Sequence, residues 1–370
     1  MKIVVLGTRG FPRVQGGVET HCQNLYPPLV RQGCQIEVFT RKPYIQEPVD
    51  FYEGVKLTPL PCPKNKFLEA IVHTFQGVWK VRRLRPDVLH IHAIGPSLFV
   101  PMARLLGLKV VVTNHGPDYK RQKWPWFAKV FLKFCERMGT MFATEVITIA
   151  DNIAADLRRK YGRDPVIIPN GVALPSPAEP SPALLEKYGL KKGGYVLAVG
   201  RLVPEKGLHD LIDAFEKAGL ENWKLVIAGG ADHEDAYSVS LKDKAAKNPA
   251  VVLTGYLTGD ILSHLYRGAG LFALPSYYEG LPIVLLEAMS YGLSCIVSDI
   301  PAHQNIELAK ERFFAAGDAT AMADKIRFFA GRPLTETERK EQLDLIARKY
   351  DWEKIAVQTL EVYRKVAKNA

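Results

Sequence analysis

A chain of 370 residues with 47% hydrophobic composition is long enough for two domains of ordinary size rather than one. No apolar run approaches the roughly 18 residues needed to span a bilayer, and five scattered cysteines without a C-x-x-C pair exclude a disulfide framework and point to reduced thiols in a cytoplasmic protein. The net charge of +10 is confined to the first half: residues 1–170 hold 25 Lys and Arg against 13 Asp and Glu, whereas residues 171–370 hold 24 against 26, so the first half calls for an anionic partner such as nucleic acid, an anionic membrane or a lipid-linked diphosphate.

Residues 2–6 read as a short β-strand, not as a signal peptide. The strand is followed by Gly7-Thr8-Arg9-Gly10-Phe11-Pro12 and Gly16-Gly17-Val18-Glu19, then by a helical pattern carrying Leu25 and Leu29. Glycines let the backbone approach a phosphate closely, and the start of the next helix attracts it. The spacing is not the dinucleotide-binding G-x-G-x-x-G. The second strand, 35–40, ends in Thr-Arg instead of an acidic residue for a ribose diol. Arg41 keeps an NADP reading open at that one position, but the second half adds nothing to it. Further strands are expected at 87–92, 109–113 and 145–149. His90 and His92 alternate on one strand face at a spacing that suits metal ligands, but no Cys or carboxylate cluster accompanies them, so both are expected to be buried or cleft-lining. His115 follows an apolar strand and precedes Gly116, which marks it as a site candidate. The basic excess has a focus at Lys120, Arg121, Lys123, Trp124 and Trp126, ahead of a helix bearing Lys129, Lys133 and Arg137. Trp beside Lys and Arg is the composition of interfacial segments. The apolar residues of that helix are expected to pack mostly on their own sheet, and the chain carries no nucleic-acid module signature.

A hinge is placed at 169–172, followed by a stretch from Pro175 to Pro182 too rich in proline for a helix or central strand. Strands are then expected at 195–199, 223–228, 250–254, 270–274 and 294–298. The regular βα alternation of both halves implies two α/β units with parallel sheets and helices on both faces. Gly200-Arg201-Leu202-Val203-Pro204-Glu205-Lys206-Gly207 follows the first of these strands and leads into a helix over 208–218. Arg suits a forked grip on phosphate oxygens, and Lys acts as a point charge. Glu279 falls on a loop at the carboxyl end of strand 270–274. Pro282 opens a helix that ends at Gly292, and this helix carries Glu287. A last helical pattern covers 352–368.

The pair Glu279 and Glu287, with Gly280, Leu281 and Pro282 between them, resembles the E-x7-E motif of retaining GT-B glycosyltransferases of family 4, including bacterial polysaccharide and rhamnosyltransferase-type enzymes. The G-R-L-x-x-x-K-G run, the G-G-x-E segment and the T-x-H-G-like segment at His115 match the same family in the same order, over nearly the whole chain. The resemblance implies two Rossmann-like domains facing a cleft, 1–169 for the acceptor and 170–351 for the donor, with helix 352–370 crossing back to the first. It implies a retaining, metal-independent hexosyl transfer from a nucleotide-diphosphate sugar to a saccharide or lipid-linked acceptor in bacterial cell-surface polysaccharide synthesis; the cysteines place this in the cytoplasm, and the basic segment from Lys120 to Trp126 places it on the inner face of a membrane. Arg201 and Lys206 would clamp the diphosphate, Glu279 and His115 would lie beside the sugar, and Glu287 would grip the ribose. Gly16, Gly17, Gly200, Gly230, Tyr256, Leu257 and Gly280 to Pro282 would line the donor, with Glu19 on the acceptor side. No cofactor is expected, because the two cations take a metal's role and the chain has no D-x-D motif. A sugar-nucleotide epimerase of the same fold and a non-catalytic sugar-nucleotide-binding protein remain the alternatives, and the donor base stays open among UDP, GDP and dTDP.

Overall fold

The computed structural model describes every residue except 46–48, 66–67, 121–124, 232–233 and 369–370. It forms two compact units, Met1–Gly171 with Trp352–Ala370, and Val172–Asp351.

The first unit is built on strands β1 (Lys2–Leu6), β2 (Gln35–Arg41), β3 (Phe51–Tyr52), β4 (Val55–Leu60), β5 (Val88–His92), β6 (Val110–Asn114), β7 (Glu145–Thr148) and β8 (Val166–Ile167). Their order is β3-β4-β2-β1-β5-β6-β7-β8, parallel throughout except for the β3–β4 hairpin. The apolar strand runs follow from burial on both faces. Ile3 and Val5 of β1 pack with Leu25 and Leu29 of helix Gly17–Arg31 and with Leu360 and Tyr363 of helix Trp352–Lys368. Val4 and Leu6 face the other way, toward Val78 and Val81 of helix Glu69–Leu84. The last helix therefore belongs to the first unit. The strand order reverses at β1, between β2 and β5, which is where ligands of open α/β sheets bind. Gly7 sits at this point with φ of 103°, and a Cβ there would lie 2.1 Å from the carbonyl oxygen of His92.

The second unit holds β9 (Tyr195–Val199), β10 (Lys224–Ala228), β11 (Val251–Gly255), β12 (Leu271–Leu274), β13 (Cys295–Ser298) and β14 (Phe313–Phe314), all parallel in the order β11-β10-β9-β12-β13-β14. Its switch point lies between β9 and β12, so the loops after these two strands meet. Gly207, with φ of 62°, marks the contact, since a Cβ there would lie 2.3 Å from the carbonyl oxygen of Pro275.

Three features depart from the sequence reading. β3, β8 and β14 lie at sheet edges and are two residues long, too short for a periodic signal, and β4, between β3 and β2, carries Pro59 within its run. Pro182 opens a short helix, Pro182–Lys187, whose cap Ser181 accepts a hydrogen bond from the Leu184 amide, so the proline-rich stretch ends in a helix start where proline is tolerated. The helix Trp126–Phe142 buries Ala128, Cys135, Glu136, Gly139 and Thr140 and exposes Trp126, Phe127, Val130, Phe134, Met141 and Phe142. This reverses the expected packing. Glu136 is drawn inward by hydroxyls of Tyr119 (3.1 Å) and Tyr161 (3.0 Å). Gly139 lets the helix approach Ser97, whose Cβ would be 2.6 Å from an added methyl. A close-packed polar and small stripe holds this helix, and its aromatic face is left outside.

Candidate functional site

In the second unit, three loops at the carboxyl ends of β9, β10 and β11 are tied by backbone hydrogen bonds. The Gly200 amide donates to Ala228 O (3.0 Å), Leu202 to Gly230 O (3.0 Å), and Gly229 to Gly255 O (2.9 Å). A side chain at Gly229 would place its Cβ 1.8 Å from Gly200 O, so only glycine permits this approach. Gly200, Gly230, Tyr256 and Leu257 thus lie on neighbouring loops, with Tyr256 exposed.

Lys206 ends a single turn, Pro204–Lys206, and its ammonium is ion-paired with Glu279 from the facing loop. Ser276 Oγ donates to the same carboxylate at 2.8 Å. Burial works to raise the Glu279 carboxyl, but the Lys206 charge and these hydrogen bonds hold it below the usual range. Arg201 is partly buried on the same loop as Lys206. Glu279, Gly280 and Leu281 lead to Pro282, which caps helix Ile283–Ser290. Proline carries no N–H, so amides offered to an anion here come from Gly280, Leu281 and the first helical residues. Glu287 lies on this helix and accepts a hydrogen bond from Tyr266 Oη at 2.9 Å. The Tyr266 ring stacks on Tyr291 at 5.1 Å. Burial pushes the Glu287 carboxyl up to about 7, opposed in part by Tyr266.

His303 was missed by the sequence reading. It is fully buried past the end of β13, its Nδ1 is 2.8 Å from Ser298 O, and its Nε2 has no partner among the described residues. Burial lowers it to about 4, against the pull of the Glu279 charge. Its position on the short helix Pro301–Gln304, which follows the strand next to β12, was the available signal.

In the first unit, Gly16 caps helix Gly17–Arg31, and a side chain there would strike the Glu19 carboxylate at 2.0 Å. Glu19, expected on the acceptor side, is buried. It accepts from the Arg9 amide (2.9 Å) and Arg9 Nε (3.2 Å), so its observed work is to hold the glycine-rich loop. Burial opposes ionisation of Glu19, and Arg9 more than reverses this, leaving its pKa lowered. Gly17 faces open space. His115, just past β6, lies 2.9 Å from His92 through Nε2 and Nδ1. His90 and His92 are both fully buried. His21, on the second turn of the first helix, joins them and was also missed; its place after Gly16-Gly17-Val18-Glu19 was the signal.

Of the expected interfacial residues, Arg121, Lys123 and Trp124 lie outside the described residues. Lys120 is exposed, with Asp156 at 3.7 Å, and Trp126 is 78% exposed. Among the described residues, no helix is long and apolar enough to cross a membrane.

Two family models divide this chain between them: "Glycosyltransferase Family 4" matches residues 15–174, and "Glycosyl transferases group 1" matches residues 182–350. The chain belongs to glycosyltransferase family 4. It is 27% identical to the phosphatidyl-myo-inositol mannosyltransferase of Mycobacterium leprae, over 96% of this chain and 94% of that one. Its fold is that of the sucrose-phosphate synthase of Thermosynechococcus elongatus, with a TM-score of 0.85, 21% identity and full coverage of both chains. It also matches Anabaena HepE in complex with UDP-glucose, with a TM-score of 0.79, 18% identity and coverage of 99% and 100%. At such identities the structural likeness establishes the GT-B fold, two Rossmann-like units, and no more.

Proposed function

We propose that this glycosyltransferase moves a hexose, with retention of configuration, from a nucleotide-diphosphate sugar to a saccharide or lipid-linked acceptor in cell-surface polysaccharide or glycolipid synthesis. The observation that carries the reading is the pairing of Lys206 with Glu279 across the β9–β12 switch point, with Arg201 on the same loop and Glu287 one helix away. In this reading the bond from the sugar's anomeric carbon to the diphosphate breaks, and its electrons leave with the phosphate. Arg201, Lys206 and the amides after Glu279 stabilise that charge in place of a metal. The acceptor hydroxyl attacks the same face of the sugar, and its proton passes to the departing phosphate oxygen. No carboxylate is needed as a covalent nucleophile. Glu287 takes the ribose hydroxyls. A UDP-sugar donor is favoured by the UDP-glucose held by the HepE neighbour.

The test combines a thermal-shift screen of UDP, GDP and dTDP with product analysis from the matching sugar nucleotide. Release of nucleoside diphosphate with a glycosylated product of unchanged anomeric configuration supports the reading. An isomerised sugar nucleotide assigns an epimerase, and tight binding with neither product assigns a sensor.

We further propose that the first unit docks on the cytoplasmic face of an anionic membrane holding the acceptor. The helix Trp126–Phe142 presents Trp126, Phe127, Val130 and Phe134 outward beside exposed Lys133 and Arg137. Phe75 and Trp79 are exposed on helix Glu69–Leu84, which also carries Lys80, Arg82 and Arg83. Aromatic rings bury in the headgroup region, and each cation near anionic lipid contributes about 1 kcal/mol. Sedimentation with anionic vesicles should weaken with salt and weaken further when Lys133 and Arg137 become Glu, while donor affinity persists. Equal pelleting of the charge-reversed and native proteins would remove the membrane from this proposal.

A further inference from the structure

We propose that His21, His92 and His115 form a binding site for one divalent first-row transition ion of the Zn2+ and Co2+ class, with a fourth position left for water. The site lies wholly in the first unit and does not depend on the transferase reading. The three rings come from separate elements, the helix Gly17–Arg31, the end of β5 and the turn after β6, and one ring nitrogen of each lies within 4.8 Å of the other two. Ring centroids are 4.8 Å apart for His21 and His115, 5.3 Å for His21 and His92, and 5.2 Å for His92 and His115.

The hydrogen bonds around these rings prepare lone pairs for a metal. His21 Nδ1 is 2.9 Å from Asn170 Oδ1. An amide oxygen only accepts, so Nδ1 carries the proton and Nε2 carries the lone pair. That Nε2 is buried and has no partner among the described residues, a state that is unfavourable unless something binds it. His92 Nε2 is 2.5 Å from Tyr26 Oη, which leaves Nδ1 to face His115. Asn170 and Tyr26 are thus the outer partners that fix the orientation of metal-bound imidazoles. His115 is the one partly exposed member, and it opens the site to solvent.

Three imidazoles with one open position are a zinc donor set, with Zn–N of about 2.0–2.1 Å and hence nitrogens roughly 3.3 Å apart around a tetrahedral ion. The nitrogens, now within 4.8 Å of one another, draw together on the ion, which replaces the His92–His115 hydrogen bond; the proton of that bond moves to the other nitrogen of its own ring. His90 is excluded, because its nitrogens are taken by Tyr363 Oη (2.6 Å) and Thr113 Oγ1 (2.7 Å). His90 and His92 are buried, as the sequence reading expected, and the ligand set proposed here adds only histidines to His92. Its partners come from positions 21 and 115, far away in sequence.

Metal-free full-length protein titrated with Co2+ tests this through the strong visible absorption of four-coordinate cobalt, with Zn2+ as competitor. One Co2+ per chain, displaced by Zn2+, is expected. His21→Ala should abolish the bands, and Asn170→Ala, which removes only an outer partner, should weaken binding roughly 10- to 100-fold. His209→Ala, in the other unit, should change nothing. Circular dichroism establishes that each variant is folded, and Asn170→Ala carries the test if His21→Ala is not. Absence of the visible bands in the native protein, or unchanged affinity in the folded variants, overturns the site.

Discussion

Alanine at Arg201 or Lys206 lowers kcat by roughly 10² or more, because each change removes charge stabilisation where the leaving diphosphate develops its charge. The two variants should differ in stability. The side chains of Lys206 and Glu279 are only 14% and 12% exposed. Lys206→Ala leaves a shielded carboxylate without its cation, a loss of the kind that costs about 3–5 kcal/mol when fully buried and less where the carboxyl can take a proton. Glu279→Gln added to Lys206→Ala should recover most of the lost melting temperature and none of the lost turnover. Steady-state kinetics and thermal melts of the single and double variants check both halves. Near-normal turnover in Arg201→Ala and Lys206→Ala would sink the phosphate-clamp assignment.

What the sequence revealed, and what it concealed, follows from the range of the interactions. The strand Tyr195–Val199 and the helix Leu208–Ala218 were legible to the residue, because an apolar run and a 3.6-residue period are local signals bounded by glycines. The placement of Glu279 on a loop and Glu287 on a helix followed from Pro282 and Gly292 in the same way. The pairing of Lys206 with Glu279 joins positions 73 residues apart, and periodicity carries no trace of it. The contact between His21 and Asn170 spans 149 residues, and these two residues sit at the two ends of the first unit's βα run. The exposed face of Trp126–Phe142 misled for a related reason. An amphipathic pattern shows that a helix has two faces, but Glu136 and Gly139 were chosen for burial by Tyr119, Tyr161 and Ser97, which lie on other elements.

Glu287→Gln should weaken binding of the cognate sugar nucleotide by about 1.5–3 kcal/mol, the range for a hydrogen bond to a charged group, and should also flatten its pH dependence. The carboxyl sits at about 7 in the free protein because burial disfavours its charge. Ribose hydroxyls donate to a carboxylate, so bound nucleotide favours the ionised form and pulls this value down. Affinity should therefore rise as the pH climbs toward 7 and level off above it. Sugar nucleotides, whose phosphates do not titrate in this range, are the ligands of choice for calorimetry across that window. The free protein should show the opposite trend. A carboxyl whose folded value is raised contributes stability that is fully present below its unfolded value near 4.3 and is lost as the pH rises through about 7. Above that point Glu287→Gln removes the cost of a buried charge, on the order of 3–4 kcal/mol, and should melt higher than the native chain while binding donor less well. A gain in stability coupled to a loss of affinity marks a residue kept for its ligand. Unchanged affinity in Glu287→Gln, at any pH, would return Glu287 to a structural partner of Tyr266.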